Sequence, residues 1–149
     1  MERKPRNPNE SVFTRDVKAY LVGVPMIMTT LLLIGYYSYK PWLNEHQLIE
    51  ARTQLFTAMV LMELANAVSA RSLKHTVFKV GVFKNKFLWL AILSSLGLQL
   101  IVLYTPGLQT LFDVRAPEPL DWAIAIVFTI ITFASIEISK YIVSRKRKA

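Results

Sequence analysis

Four apolar blocks divide this 149-residue chain: Ala19–Tyr37, Thr53–Ala70, Phe87–Thr105 and Trp122–Ile138. Each is close to the roughly 20 residues that an α-helix, rising 1.5 Å per residue, needs to cross the ~30 Å hydrocarbon core of a bilayer. The first and third blocks hold no charged residue, the second holds only Glu63, and the fourth only Glu137 near its end. Apolar residues make up 53% of a chain that still carries 18 Lys and Arg, so apolar and charged residues are segregated rather than mixed. The expected fold is all-α: a polytopic membrane protein with four transmembrane helices at about 19–37, 53–70, 87–105 and 122–138. A basic lead-in (1–18) and a basic tail (139–149) flank this membrane domain.

The net charge of +8 would suit a nucleic-acid binder, but its placement does not. Arg3, Lys4, Arg6, Arg15 and Lys18 precede the first block. Arg71, Lys74, Lys79, Lys84 and Lys86 separate the second from the third, and Lys140 with Arg145–Lys148 follows the fourth. The remaining two connections hold only Lys40, Arg52 and Arg115. Under the positive-inside rule the central loop and both termini are cytoplasmic, as an even number of spans requires. No nucleic-acid partner is expected, and the lipid bilayer takes its place. The opening MERKPRNPNESVF is too polar to be the core of a signal peptide, and the absence of Cys removes thiolate metal sites.

Glu63 is the residue that this architecture makes hardest to place. A charge near the bilayer midplane costs roughly 2.5–3.5 kcal/mol on insertion scales, so such a residue normally faces protein and has a partner or an ion. On a helix, Asn66 and Ala67 lie one turn above Glu63 and Met59 one turn below, giving a stripe of one acid, one amide and small or soft side chains. Such a stripe can serve a cation, a proton or a neighbouring helix.

The other polar residues have plainer readings. Pro25 and Gly23 loosen the cytoplasmic end of the first span, and Tyr36, Tyr37, Tyr39 and Trp42 form an interfacial belt. A short interfacial helix is expected from Val12. The first outer loop is read from Lys40 to about Arg52, with His46 solvated in it, and His75 is solvated in the central loop. Gln99 reads as interhelical glue, and Ala91 with Ser95 gives a small-residue spacing for close helix approach. Asp113, Glu118 and Asp121 read as solvated loop acids, and Glu137 with Lys140 as an anchoring ion pair within one helix.

The order of several short motifs is specific. Met62–Ala67 (MELANA), then Phe78-x-x-Gly81-x-Phe83-x-Asn85, Tyr104-x-Pro106 and Phe112, then Asp121-Trp122 and Glu137-x-x-Lys140, resemble the eighth, ninth and tenth transmembrane helices of P-type cation-transporting ATPases. Arg3-Lys4-Pro5-Arg6 through Glu10 resembles the lead-in to the seventh, and the calcium pumps are the most similar type. The resemblance implies that Glu63 is an acidic ligand of a transported cation, Ca²⁺ or another, with Asn66 behind it. It implies no cofactor or catalytic residue in this chain, and as partners the remaining helices and cytoplasmic domains of a pump in the cell membrane. Nothing resembles the DKTGT phosphorylation loop, and no GxxxxGK[ST] phosphate loop occurs. ATP hydrolysis by these residues alone is therefore not expected. One carboxylate also cannot supply the six to eight oxygens that calcium takes. The competing readings are an independent small four-helix transporter coupled to protons or cations, and a scaffold in which Glu63 only joins helices.

Overall fold

In the computed structural model, residues 15–72, 76–81, 83 and 85–146 are described, and the side chains at 15–19, 80 and 143–146 are outside that description. The expected helix from Val12, His75, Lys84 and the last three tail residues lie outside the described residues. The described residues form α1 (Arg15–Ser38), α2 (Glu45–Ala70), α3 (Val77–Val80), α4 (Lys86–Tyr104), α5 (Pro106–Phe112) and α6 (Pro119–Lys146).

Short polar signals set the helix ends. Asn44 caps α2 by accepting the Gln47 N–H at 2.8 Å, and Asn85 caps α4 by accepting that of Leu88 at 3.1 Å. Pro119 opens α6, where the Asp121 carboxylate reaches back to the Glu118 N–H at 2.7 Å, so α6 begins before Trp122. The cap at Asn44 also corrects the first outer loop. Most of Lys40–Arg52 is the first two turns of α2, because the sequence from Glu45 onward has no breaker once capped.

α2 is the central element: it packs most extensively on α6, then on α1, and touches α4. Val24 and Met28 of α1, Ala58 and Met62 of α2, and Ala125 and Ile136 of α6 form the core. The distribution of polarity is inverted relative to a water-soluble protein. Thr53, Gln54, Thr57 and Thr132 are buried, while Leu21, Met26, Leu90, Leu93, Leu98, Ile126 and Ile130 are exposed. Apolar flanks outside and small or polar residues between helices are the pattern of a bundle solvated by lipid.

Among the described residues three helices are long and apolar enough to cross a membrane: Tyr20–Ser38 in α1, Lys86–Tyr104 in α4 and Pro119–Ile142 in α6. α2 is not among them, although its 26 residues give it about 39 Å of length. The reason is its position. A helix covered by α6, α1 and α4 needs less apolar surface than one facing lipid, and the polar residues of α2 (Thr53, Gln54, Thr57, Ser69) are among the most buried of the described residues.

Candidate cation site at Glu63

Helical periodicity puts Gln54, Thr57, Ala58 and Met62 on the buried side of α2, and Met59, Glu63 and Asn66 on another. Glu63 is exposed on a surface groove of about 260 Å³ between α1 and α2. Tyr20, Val24, Pro25 and Met28 form one wall, and Met59, Glu63 and Asn66 the other. Pro25 has no N–H to give the carbonyl of Leu21, so one backbone oxygen of α1 lacks its helical donor beside this groove.

Of the four polar side chains that line the groove, Thr29 stands apart and the other three form a chain. The Tyr20 hydroxyl donates to Asn66 Oδ1 at 2.5 Å, and Asn66 Nδ2 donates to Glu63 Oε2 at 3.4 Å. The structure therefore brings together Glu63 and Asn66, as the sequence suggested, and adds Tyr20. Ala67 and Met59 are exposed beside them. Sequence spacing gave no signal for Tyr20, which is 46 residues from Asn66 and reaches it only because α1 and α2 pack side by side. Among the described residues no group of three or more His, Asp or Glu could enclose a metal ion. Glu63 can thus give one or two oxygens to a cation, and the rest of any shell has to come from elsewhere.

Two other polar clusters differ from expectation. Glu137 and Lys140 do pair, at 2.8 Å, but they are buried rather than at a solvated interface. Glu137 also accepts from Ser69 Oγ at 3.0 Å and from the Val77 N–H at 2.8 Å, while Lys140 Nζ donates to the Ser69 carbonyl at 2.5 Å. The pair joins α6 to the end of α2 and the start of α3.

At the other end of the bundle the loop acids are engaged, not merely solvated. Asp121 is 1% exposed and accepts from the Tyr39 hydroxyl and from Arg115, the latter at 3.2 Å. Arg115 also meets Glu50 at 3.2 Å and Glu118 at 3.4 Å, and its N–H is held by Thr53 Oγ1 at 2.9 Å. Asp113 pairs with Arg52. Burial, then the hydrogen bond to Asp121 and the charge of that carboxylate, hold the Tyr39 hydroxyl well above its ordinary pKa, with Arg115 opposing. His46 lies 3.6 Å from Glu50, one turn away. Gln99 is buried, and its Nε2 has no hydrogen-bond acceptor among the described residues.

The sequence that carries this groove is similar to that of known proteins. Residues 1–142 match the family described as "Cation transporting ATPase, C-terminus". The chain belongs to that family. The cation-ATPase C-terminal segment is 36% identical over 132 residues to a calcium-transporting ATPase of Bacillus subtilis, covering 85% of this chain and 14% of that protein. It is 32% identical over 118 residues to calcium-transporting ATPase 1 of Yarrowia lipolytica, covering 78% and 12%. It is 30% identical over 122 residues to calcium-transporting ATPase type 2C member 2 of Rattus norvegicus, covering 81% and 13%. The resemblance drawn from Met62–Ala67 and the motifs after it is thereby established. The segment spans about one seventh of the length of the first of these relatives.

Proposed function

We propose that this segment is the C-terminal helix bundle of a calcium-transporting ATPase, buttressing the ion-site helices and giving the transported cation one carboxylate, Glu63. α2 also spans the membrane, second of four spans in chain order, both ends of the segment are cytoplasmic, and the membrane is the cell membrane. The remaining helices and the cytoplasmic domains of the pump, in the same or a separate chain, supply the other cation ligands and the ATP chemistry. The observation that carries this reading is the exposure of Glu63 on the groove while the polar residues of the opposite face of α2 are buried. A carboxylate turned to lipid costs roughly 2.5–3.5 kcal/mol, so a groove presenting one is a surface for protein and a cation. Glu63 as a pure helix connector is disfavoured, because its hydrogen bond among the described residues goes to Asn66 on its own helix. The names of the relatives favour calcium as the cation and a pump over a stand-alone exchanger.

The test is cation-dependent ATPase activity of the full-length pump across a calcium titration. Glu63→Gln keeps shape and hydrogen bonding but removes the charge, so it should raise the half-saturating calcium concentration, and Glu63→Ala should raise it at least as much. An unchanged value for Glu63→Gln would reject the ligand role.

A further inference from the structure

Glu63 and Asn66 come from one helix, but the third member of their chain does not. Tyr20 stands on α1, half-buried, with its hydroxyl 2.5 Å from Asn66 Oδ1. We propose that Tyr20 is a positioning residue for the cation site, acting on Glu63 solely through Asn66. This rests on the ligand role of Glu63 given above.

The chemistry of the amide gives Tyr20 this role. An asparagine side chain has one acceptor end and one donor end, and its two orientations differ only by a half-turn. With the tyrosine O–H donating to Oδ1, Nδ2 faces Glu63, the orientation that the acceptor-only carboxylate requires, and the amide is pinned from both ends. In that orientation Asn66 is a donor toward the carboxylate. It supports the charge on Glu63 and fixes Oε2, which leaves Oε1 to be presented to a cation. The opposite orientation would set an amide oxygen against a carboxylate oxygen, two acceptors with no proton between them. Asn66 is accordingly a support for Glu63 and not an equal ligand, since its carbonyl is engaged by Tyr20 and its nitrogen would repel a cation.

The polar groups that share the groove with Glu63 are few: Tyr20 and Thr29 from α1 and Asn66 from α2, the rest of the lining being apolar. Tyr20 supplies the hydroxyl on the α1 side that bonds this chain. The α1–α2 packing is thus coupled to the geometry of the ligand: a shift of α1 that draws Tyr20 away leaves Asn66 held at its Glu63 end alone.

The experiment compares Tyr20→Phe, Asn66→Ala and the double variant with Glu63→Gln in the full-length pump, reading both the half-saturating calcium concentration and the maximal rate. Tyr20→Phe keeps the ring and removes the hydroxyl, so helix packing is retained. It should raise the half-saturating concentration roughly three-fold, the equivalent of one interhelical hydrogen bond, with the maximal rate unchanged. Asn66→Ala should raise it at least as far, and the double variant should match Asn66→Ala, because Tyr20 then has nothing to orient. A purely structural tyrosine would lower the amount of folded pump or its maximal rate and leave the half-saturating concentration alone. An unchanged concentration for Tyr20→Phe, or a double variant equal to the product of the singles, overturns the proposal while a shifted Glu63→Gln preserves the ligand role. An unchanged Glu63→Gln removes both.

Discussion

The two acids inside the apolar blocks, Glu63 and Glu137, have environments opposite to those expected of them. Glu63, expected to be turned into protein, is exposed on a groove, whereas Glu137, expected to be an interfacial anchor, is buried with Lys140. Three further hydrogen bonds, from Ser69 Oγ and the Val77 N–H to Glu137 and from Lys140 to the Ser69 carbonyl, compensate the Glu137–Lys140 pair. Breaking a buried pair from one side leaves an uncompensated charge, which costs about 3–5 kcal/mol, while replacing both partners with apolar residues of similar volume is far less damaging. Lys140→Met should therefore destabilise the protein strongly, and Glu137→Leu with Lys140→Met should recover part of the loss, since the Val77 N–H and the Ser69 hydroxyl then lose their acceptor. Denaturant unfolding of the purified protein in detergent, wild type and the variants side by side, checks this. Equal losses for the single and the double variant would show that the pair acts by packing alone. The i,i+3 spacing of this pair was legible in the sequence. Its burial was not, because Ser69 and Val77 reach it from elements 60 or more residues away.

At the scale of elements, close packing replaces the hydrophobic drive that lipid removes, so small residues matter where helices meet. Ala91 and Ser95 had the spacing for this, yet both are exposed on α4. The close approach falls instead at Gly35 of α1. A methyl group added there would sit 2.8 Å from Phe128 Cε2 of α6 and 3.9 Å from Gln54 Cγ of α2. Gly35→Ala gains helix propensity of up to about 1 kcal/mol, but overpacking of this kind costs typically 1–3 kcal/mol. The net expectation is a modest loss of stability, reversed when Phe128→Leu removes the ring edge. Thermal unfolding in detergent of the two single variants and their combination is the measurement. A Gly35→Ala protein more stable than wild type would mean that the ring moves aside freely. The clamp of Arg115, Glu50, Asp121 and Tyr39 ties the α5–α6 connection to the ends of α1 and α2, and no sequence window contains all of its members.

For the whole molecule, the central place of α2 explains why a four-span reading and an apolarity criterion disagree. Thr53, Gln54, Thr57 and Ser69 are buried, so a helix in this place can cross a membrane without being apolar all round. The topology proposed here is open to cysteine labelling in intact cells. Leu43→Cys and Ala116→Cys, both at exposed positions, should react with an impermeant thiol reagent from outside, and Lys79→Cys should react only after permeabilisation. Reaction of Lys79→Cys in sealed cells would overturn the arrangement with both ends inside.

The sequence by itself determined the helical class, the positions of the apolar helices and the family, because block length, charge segregation and motif order are local along the chain. It also singled out Glu63 and Asn66, since one helical turn relates them. Only the tertiary structure decided which face of α2 is covered, that Tyr20 holds Asn66, that Glu137 and Lys140 are interior, and that Arg115 gathers three acids. Each of these depends on side chains from different helices meeting, and helical periodicity fixes a face of a helix without fixing its neighbour.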